Sequence, residues 1–157
     1  MTDPVVEIRR ATIADGDAIA DVWLASFKAT YAFPAAHSDA DVREWIRSDL
    51  AARDETFVAV DGRTGRVVAL LSLENDDLDQ LYVHPDWLGR GIGSQMVELA
   101  KQRRPGGFGL YTFQVNERAR RFYERHGLVA TWLGDGSANE ERQPDVRYEW
   151  RPEPATA

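Results

Sequence analysis

The sequence predicts a mixed-sheet fold of the α/β (α+β) type, a mostly antiparallel twisted sheet flanked by helices, in a single domain over residues 1–157 with 151–157 as a disordered tail. Three observations predict it. The apolar spacing switches repeatedly between a period of two and a period near 3.6, giving the order β-α-α-β-β-β-α-β-α-β-β. The front half reads as antiparallel hairpins and the back half as βαβ crossovers, which excludes a doubly wound sheet or a barrel. At 157 residues, with 43% hydrophobic and 29% charged residues, the chain suffices to bury one core.

The elements follow in order. Val5 to Arg9 alternates apolar and charged residues as a strand, and Thr12-Ile13-Ala14-Asp15 offers a capping box for a helix with Ile19, Val22, Trp23 and Phe27 on one face. After the break Tyr31-Ala32-Phe33-Pro34, Ser38 and Asp41 mark a second helix start, with Val42, Trp45, Ile46 and Leu50 as its stripe. Trp23 and Trp45 therefore read as core. Thr56–Val60 and Val67–Leu73 form a hairpin around Asp61–Gly65, and Leu78–Val83 is a third strand. A helix over Gly91–Arg103, a strand over Phe108–Phe113, a helix over Glu117–His126 and a strand over Leu128–Leu133 come next. Val146–Trp150, after the polar loop Gly134–Asp145, reads as an edge strand open to pairing in a homodimer.

Composition narrows the function. There is no cysteine, and the three histidines His37, His84 and His126 are scattered, so folding uses no disulfide, a Cys-built metal site is excluded and no metal is expected. Met1-Thr2-Asp3-Pro4 lacks a basic stretch followed by an apolar one, and no apolar run approaches the ~20 residues of a membrane span, so a cytoplasmic protein with no membrane partner is expected. A formal charge of -7 argues against nucleic acid. Arg118, Arg120, Arg121 and Arg125 read as a solvated helix face with one arginine near a phosphate.

The segment Tyr82 to Ser94 joins a strand to a helix through Gly89, Gly91 and Gly93. Amides at a helix N-terminus and the positive end of its dipole make an anion site, and glycine lets a phosphate approach without a Cβ in the way. The spacing fits neither common nucleotide pattern: a G-x-G-x-x-G from Gly89 meets Ser94 instead of glycine, and a P-loop would need Gly-Lys where Ser94-Gln95 stands. The plainer reading, a tight strand-to-helix turn, accounts less well for three glycines around Arg90.

Val83-His84-Pro85-Asp86 and Gly89-Arg90-Gly91-Ile92-Gly93-Ser94 resemble the acetyl-CoA signature of the GNAT acetyltransferases, R/Q-x-x-G-x-G/A, with Leu88 in place of the first Arg or Gln. Asn116-Glu-Arg-Ala119-Arg-Arg-Phe122-Tyr123-Glu-Arg-His-Gly127-Leu128 is similar to that family's N-x-x-A-x-x-F-Y-x-x-x-G-F block. The resemblance covers roughly residues 5 to 150 and implies a GNAT-like fold, acetyl-CoA as co-substrate, and N-acetylation of a small-molecule or peptide amine. It implies that the backbone of Leu81, Tyr82 and Val83 pairs with pantetheine and polarises the thioester, and that the phosphates lie on the turn Leu88, Gly89, Arg90, Gly91, Ile92, Gly93 and Ser94.

Acetyl transfer to an amine requires a deprotonated amine, a polarised carbonyl and a proton for the departing thiolate. Tyr123 matches the family's tyrosine near the sulfur, and a phenol of reference pKa ~10 is a fitting general acid for a thiolate. Adjacent helix positions point different ways, so packing explains Phe122 better than Tyr123. Asn116 is an N-cap that, by the resemblance, also bonds the pantetheine amides. Glu74, at the end of its strand, is the first choice for general base, on the expectation that burial raises its pKa; a solvated loop acid is the plainer reading. Asp76, Asp77 and His84 follow it. The acceptor pocket falls to Phe27–His37 and Gly134–Asp145, whose carboxylates would attract a cationic amine. A non-catalytic acyl-CoA-binding sensor module and a nucleotide-binding regulatory domain are the competing readings.

Overall fold

The computed structural model describes residues 5–153; residues 1–4, and 154–157 of the expected tail, lie outside the described part. Seven strands form one sheet: β1 (Val6–Arg10), β2 (Thr56–Asp61), β3 (Val67–Glu74), β4 (Asp77–Val83), β5 (Phe108–Phe113), β6 (Val129–Gly134) and β7 (Asp145–Trp150). Four α-helices flank it: α1 (Gly16–Thr30), α2 (Asp39–Ser48), α3 (Ile92–Arg103) and α4 (Glu117–Arg125). The mixed, mostly antiparallel sheet expected from the sequence is the one observed.

Each helix begins where its cap dictates. The Asp15 carboxylate accepts the Thr12 amide at 2.8 Å and both Arg9 guanidinium nitrogens at 2.8 and 2.9 Å, closing a 3-10 turn over Ile13–Asp15 before α1 starts. Ser38 Oγ accepts from the Asp41 amide at 3.1 Å and starts α2. Leu50, expected on the α2 stripe, belongs to a separate 3-10 turn over Leu50–Ala52 and is buried all the same.

The strand order is β1-β2-β3-β4-β5-β7-β6. Only β4 and β5 run parallel, as a βαβ crossover through α3. Alternating side chains divide the core between the two faces of the sheet. Phe57, Leu71, Phe108, Val146 and Tyr148 pack under α3 and α4, whereas Val58, Leu70, Ile19, Trp23, Phe27 and Ile46 pack on the side of α1 and α2. At the open end of the β2–β3 hairpin, away from its turn, Glu55 accepts from Arg104 at 2.7 Å and Arg103 at 2.9 Å, and these two guanidinium groups hold its carboxyl down at about 2.

One expectation is overturned. Val146–Trp150 is not an edge strand: β7 lies between β5 and β6, pairing antiparallel with both, and β6 forms the rim. Order along the chain places successive strands side by side by default, but the Gly134–Asp145 loop is long enough to carry β7 back inside β6. Val129, Trp132 and Leu133 of β6 are exposed in consequence.

Candidate functional site

The site begins with a failure of strand pairing. β4 and β5 meet at a single register position, Asp77 opposite Gly109, and diverge beyond it. Arg147 of β7 pins the closed end. Its guanidinium bonds Asp77 at 2.9 Å and crosses Gly109 so closely that a Cβ there would stand 2.1 Å from it. Past this pin the β5-facing backbone groups of β4 have no strand partner, and the divergence opens a cavity of about 1110 Å³. Leu81, Tyr82, Val83, Leu110, Phe113, Tyr123 and the turn from Leu88 to Ser94 line it, with Arg90 as the exception.

The three glycines of that turn do different work. Gly89 and Gly91 have φ of 76° and 80°, the left-handed region where a side chain is strained, and a Cβ at either would meet open space. Gly91 is the N-cap of α3. The first α-helical bond runs from the Gln95 amide to the Gly91 carbonyl at 3.1 Å, so the amides of Ile92, Gly93 and Ser94 precede the helical ladder and face the cavity end. Gly93 serves packing instead, since a Cβ there would press on the Phe122 ring of α4 at 3.1 Å. A backbone cradle at a helix N-terminus, open where a Cβ would stand, fits a pyrophosphate.

Charge around the cradle differs in part from the expectation. Arg90 is folded back, its guanidinium 4.6 Å from the Trp87 ring centroid and 3.3 Å from the Asp86 carbonyl, while Arg118 and Arg125 line the cavity. Leu88 is exposed. Ser94 Oγ lies 3.0 Å from Nε2 of His126, a contact that orients the hydroxyl in the first turn of α3. Burial, helped by Lys101, holds the His126 pKa below 6.5.

Tyr123 is buried on α4, and burial pushes its phenol well above its ordinary range, so the hydroxyl keeps its proton. Asn116 caps α4, its Oδ1 accepting from the Ala119 amide at 3.1 Å, and its Nδ2 donates to the Tyr31 hydroxyl at 2.9 Å. Tyr31 falls within the Phe27–His37 stretch expected to shape the acceptor pocket, but its bond to Asn116 has no local signal in the sequence, because the two lie 85 positions apart. Tyr31, Phe33, Phe27 and Phe113 stack and cross one another with centroids 4.8 to 5.9 Å apart, forming an aromatic wall on the α1 side of the cavity. Trp23 belongs to the core as expected and also lines the cavity, donating from Nε1 to Gln80 at 3.1 Å.

Glu74 stands elsewhere. It is the last residue of β3, opposite Asp77 at the pinned end, with its side chain 52% exposed and 3.3 Å from Arg53, which Asp79 and Asp49 also hold. It does not line the cavity, and the burial expected of it is absent. The carboxylates that do line it are Asp79, Glu117, Glu141 and Asp145. The loops expected to shape an acceptor pocket meet here, joined by a contact between His37 and Glu140.

Comparisons with known proteins agree with this geometry. A family model described as an acetyltransferase (GNAT) domain matches residues 52–129. The peptidyl-lysine N-acetyltransferase YjaB of Salmonella typhimurium is 31% identical over 130 residues, 81% of this chain and 86% of that protein. The solution structure of apo-form YjaB from Escherichia coli superposes with a TM-score of 0.77 at 26% identity, covering 93% of this chain and 97% of that one. A PaiA N-acetyltransferase from Thermoplasma acidophilum, solved in complex with coenzyme A, superposes with a TM-score of 0.66 at 19% identity, covering 94% and 99%, and bears on the fold alone.

Proposed function

The chain belongs to the GNAT acetyltransferase family, and from that premise we propose that it moves an acetyl group from acetyl-CoA to a primary amine of a small molecule or peptide by direct attack, as a cytoplasmic enzyme. The observation that carries this reading is the divergence of β4 from β5 beside the Gly89–Ser94 cradle, with Tyr123 in the same cavity. When bound, acetyl-CoA supplies the activated thioester.

The residues divide the remaining work. Amides of Ile92, Gly93 and Ser94 take the pyrophosphate, with Arg118 and Arg125 adding charge. The unpaired backbone edge of Leu81, Tyr82 and Val83 holds the pantetheine arm as a strand would be held and orients the carbonyl. Asn116 keeps one amide proton beyond its bond to Tyr31 and offers it to the same arm. Tyr123, buried in the same cavity, gives its hydroxyl proton to the departing sulfur. We assign Glu141 to the proton of the incoming amine in place of Glu74. It lines the cavity on the acceptor side and, after burial, adds to the upward push on the Tyr31 and Tyr82 phenols.

The YjaB proteins of Salmonella typhimurium and Escherichia coli are peptidyl-lysine N-acetyltransferases, which supports a lysine-like amine as acceptor. The test is thiol release from acetyl-CoA against polyamines, amino acids and lysine peptides, beside calorimetric titration of coenzyme A. Acceptor-dependent release is expected. Tight binding with no release on any amine would leave a sensor module, and absence of binding would remove the cradle assignment.

A further inference from the structure

Among the described residues one buried side-chain oxygen has no hydrogen-bond partner, and it is Oδ1 of Asp145. Asp145 is 8% exposed and lines the cavity. The site is built to hold it. Gln114 Nε2 bonds both the Asp145 carbonyl at 2.9 Å and the Gly134 carbonyl at 3.0 Å, clamping the start of β7 to the end of β6. A Cβ at Gly134 would stand 2.2 Å from Asp145 Oδ1 and 2.3 Å from the Trp132 ring, so glycine is what lets carboxylate and indole converge on one point. Burying a charge without a partner is costly, and a carboxylate beside an aromatic face is a receptor for an organic cation.

Strand order says which cation. Asp145 pairs with Phe113 of β5, so β5 separates it from β4. Two strand spacings of about 4.8 Å put it roughly 10 Å from the β4 backbone, and more where β4 and β5 diverge. Allowing about 3 Å for an ion pair, at least some 7 Å remains to the amine being acetylated. We propose that Asp145 binds a second cationic group of the acceptor, one that is not acetylated, and so selects dicationic amines: α,ω-diamines or peptides carrying a second cation near the lysine. This rests on the amine-acceptor reading above.

The experiment titrates diaminopentane and pentylamine into protein saturated with coenzyme A, for the wild type and for Asp145→Asn, with thiol release measured in parallel. Lysine peptides with and without a neighbouring second lysine form the other arm and separate a small-molecule source of the dication from a protein one. Wild type is expected to bind the dication about tenfold or more tightly than the monocation, and Asp145→Asn to bring that ratio to about one, since bonds to charged groups are worth that much. In the absence of acceptor the variant is expected to melt about 2–4 °C higher, because an unpaired buried charge has been removed. A merely structural Asp145 would lower the melting temperature and leave the ratio where it was, and that outcome overturns the assignment, as does equal binding of both amines by the wild type. Asp145-dependent binding without thiol release would sink the acetyltransfer reading and keep this one; release indifferent to Asp145 would do the reverse.

Discussion

The two walls of the cavity are made of different material. The cofactor wall is backbone: the unpaired edge of β4 and the amides after Gly91, held by glycine conformation and helix geometry. The acceptor wall is side chain: Phe27, Tyr31, Phe113, Trp132, Glu141 and Asp145, drawn from α1, three strands and the loops between elements. A backbone wall recognises what every acetyl-CoA shares, and tolerates substitution wherever φ and packing permit. The opposite wall discriminates, and changes character with single residues.

The largest expected effect tests the residue that stands between the walls. Tyr123→Phe should lower kcat by about 10²- to 10⁴-fold, as removal of a general acid does, while the coenzyme A Kd from calorimetry changes less than about twofold. Next comes the backbone nature of the cofactor wall. Gly91→Ala places a Cβ at φ 80° and should weaken coenzyme A binding by about tenfold through strain of order 1–2 kcal/mol, whereas Leu88→Ala, a side-chain change in the same turn, should shift it less than about twofold. Equal losses at both positions would break the comparison.

A smaller effect is expected from pH. The folded His126 pKa lies below its ordinary 6.5 because of burial and Lys101, so in the interval between the two values the unfolded chain binds more protons. Stability is therefore full above 6.5 and is lost as pH falls through the folded value. His126→Gln, which keeps a partner for Ser94, should flatten the fall in melting temperature between pH 7 and 5. The smallest effect belongs to Glu74: Glu74→Gln should change kcat/KM less than about twofold with an unmoved pH–rate profile, whereas Glu141→Gln should cut the rate at neutral pH by about 10².

What the sequence disclosed follows the same division. The glycine turn and the block from Asn116 to Gly127 are legible because local chain conformation and helix capping write themselves into adjacent residues. The family resemblance, the strand-helix order and most element bounds rest on such local signals. Glu74 misleads because its place at a strand end is legible, whereas which end of β3 borders the opening depends on Arg147 reaching Asp77 across Gly109, a contact 70 positions apart. Asp145 belongs to the loop whose carboxylates are expected to attract a cationic amine, but its burial is hidden for a similar reason: nothing near it in sequence says that Gly134 and Trp132 will close over it. The bonds of Tyr31 and Gln114 become visible only once α1, β5 and the β6–β7 junction are brought together.

The insertion of β7 also sets the order in which the chain can be completed. Without β7, β5 has one paired position with β4 and β6 has no partner at all. Four strands and both walls of α1 and α2 packing can assemble during synthesis, but β5 and β6 wait as open, apolar edges for the last strand to emerge. Ribosomal stalling before residue 145, or proteolytic clipping of the 134–145 loop, would therefore release a species prone to pair with other chains, and the final residues of the sheet are the ones that end that exposure.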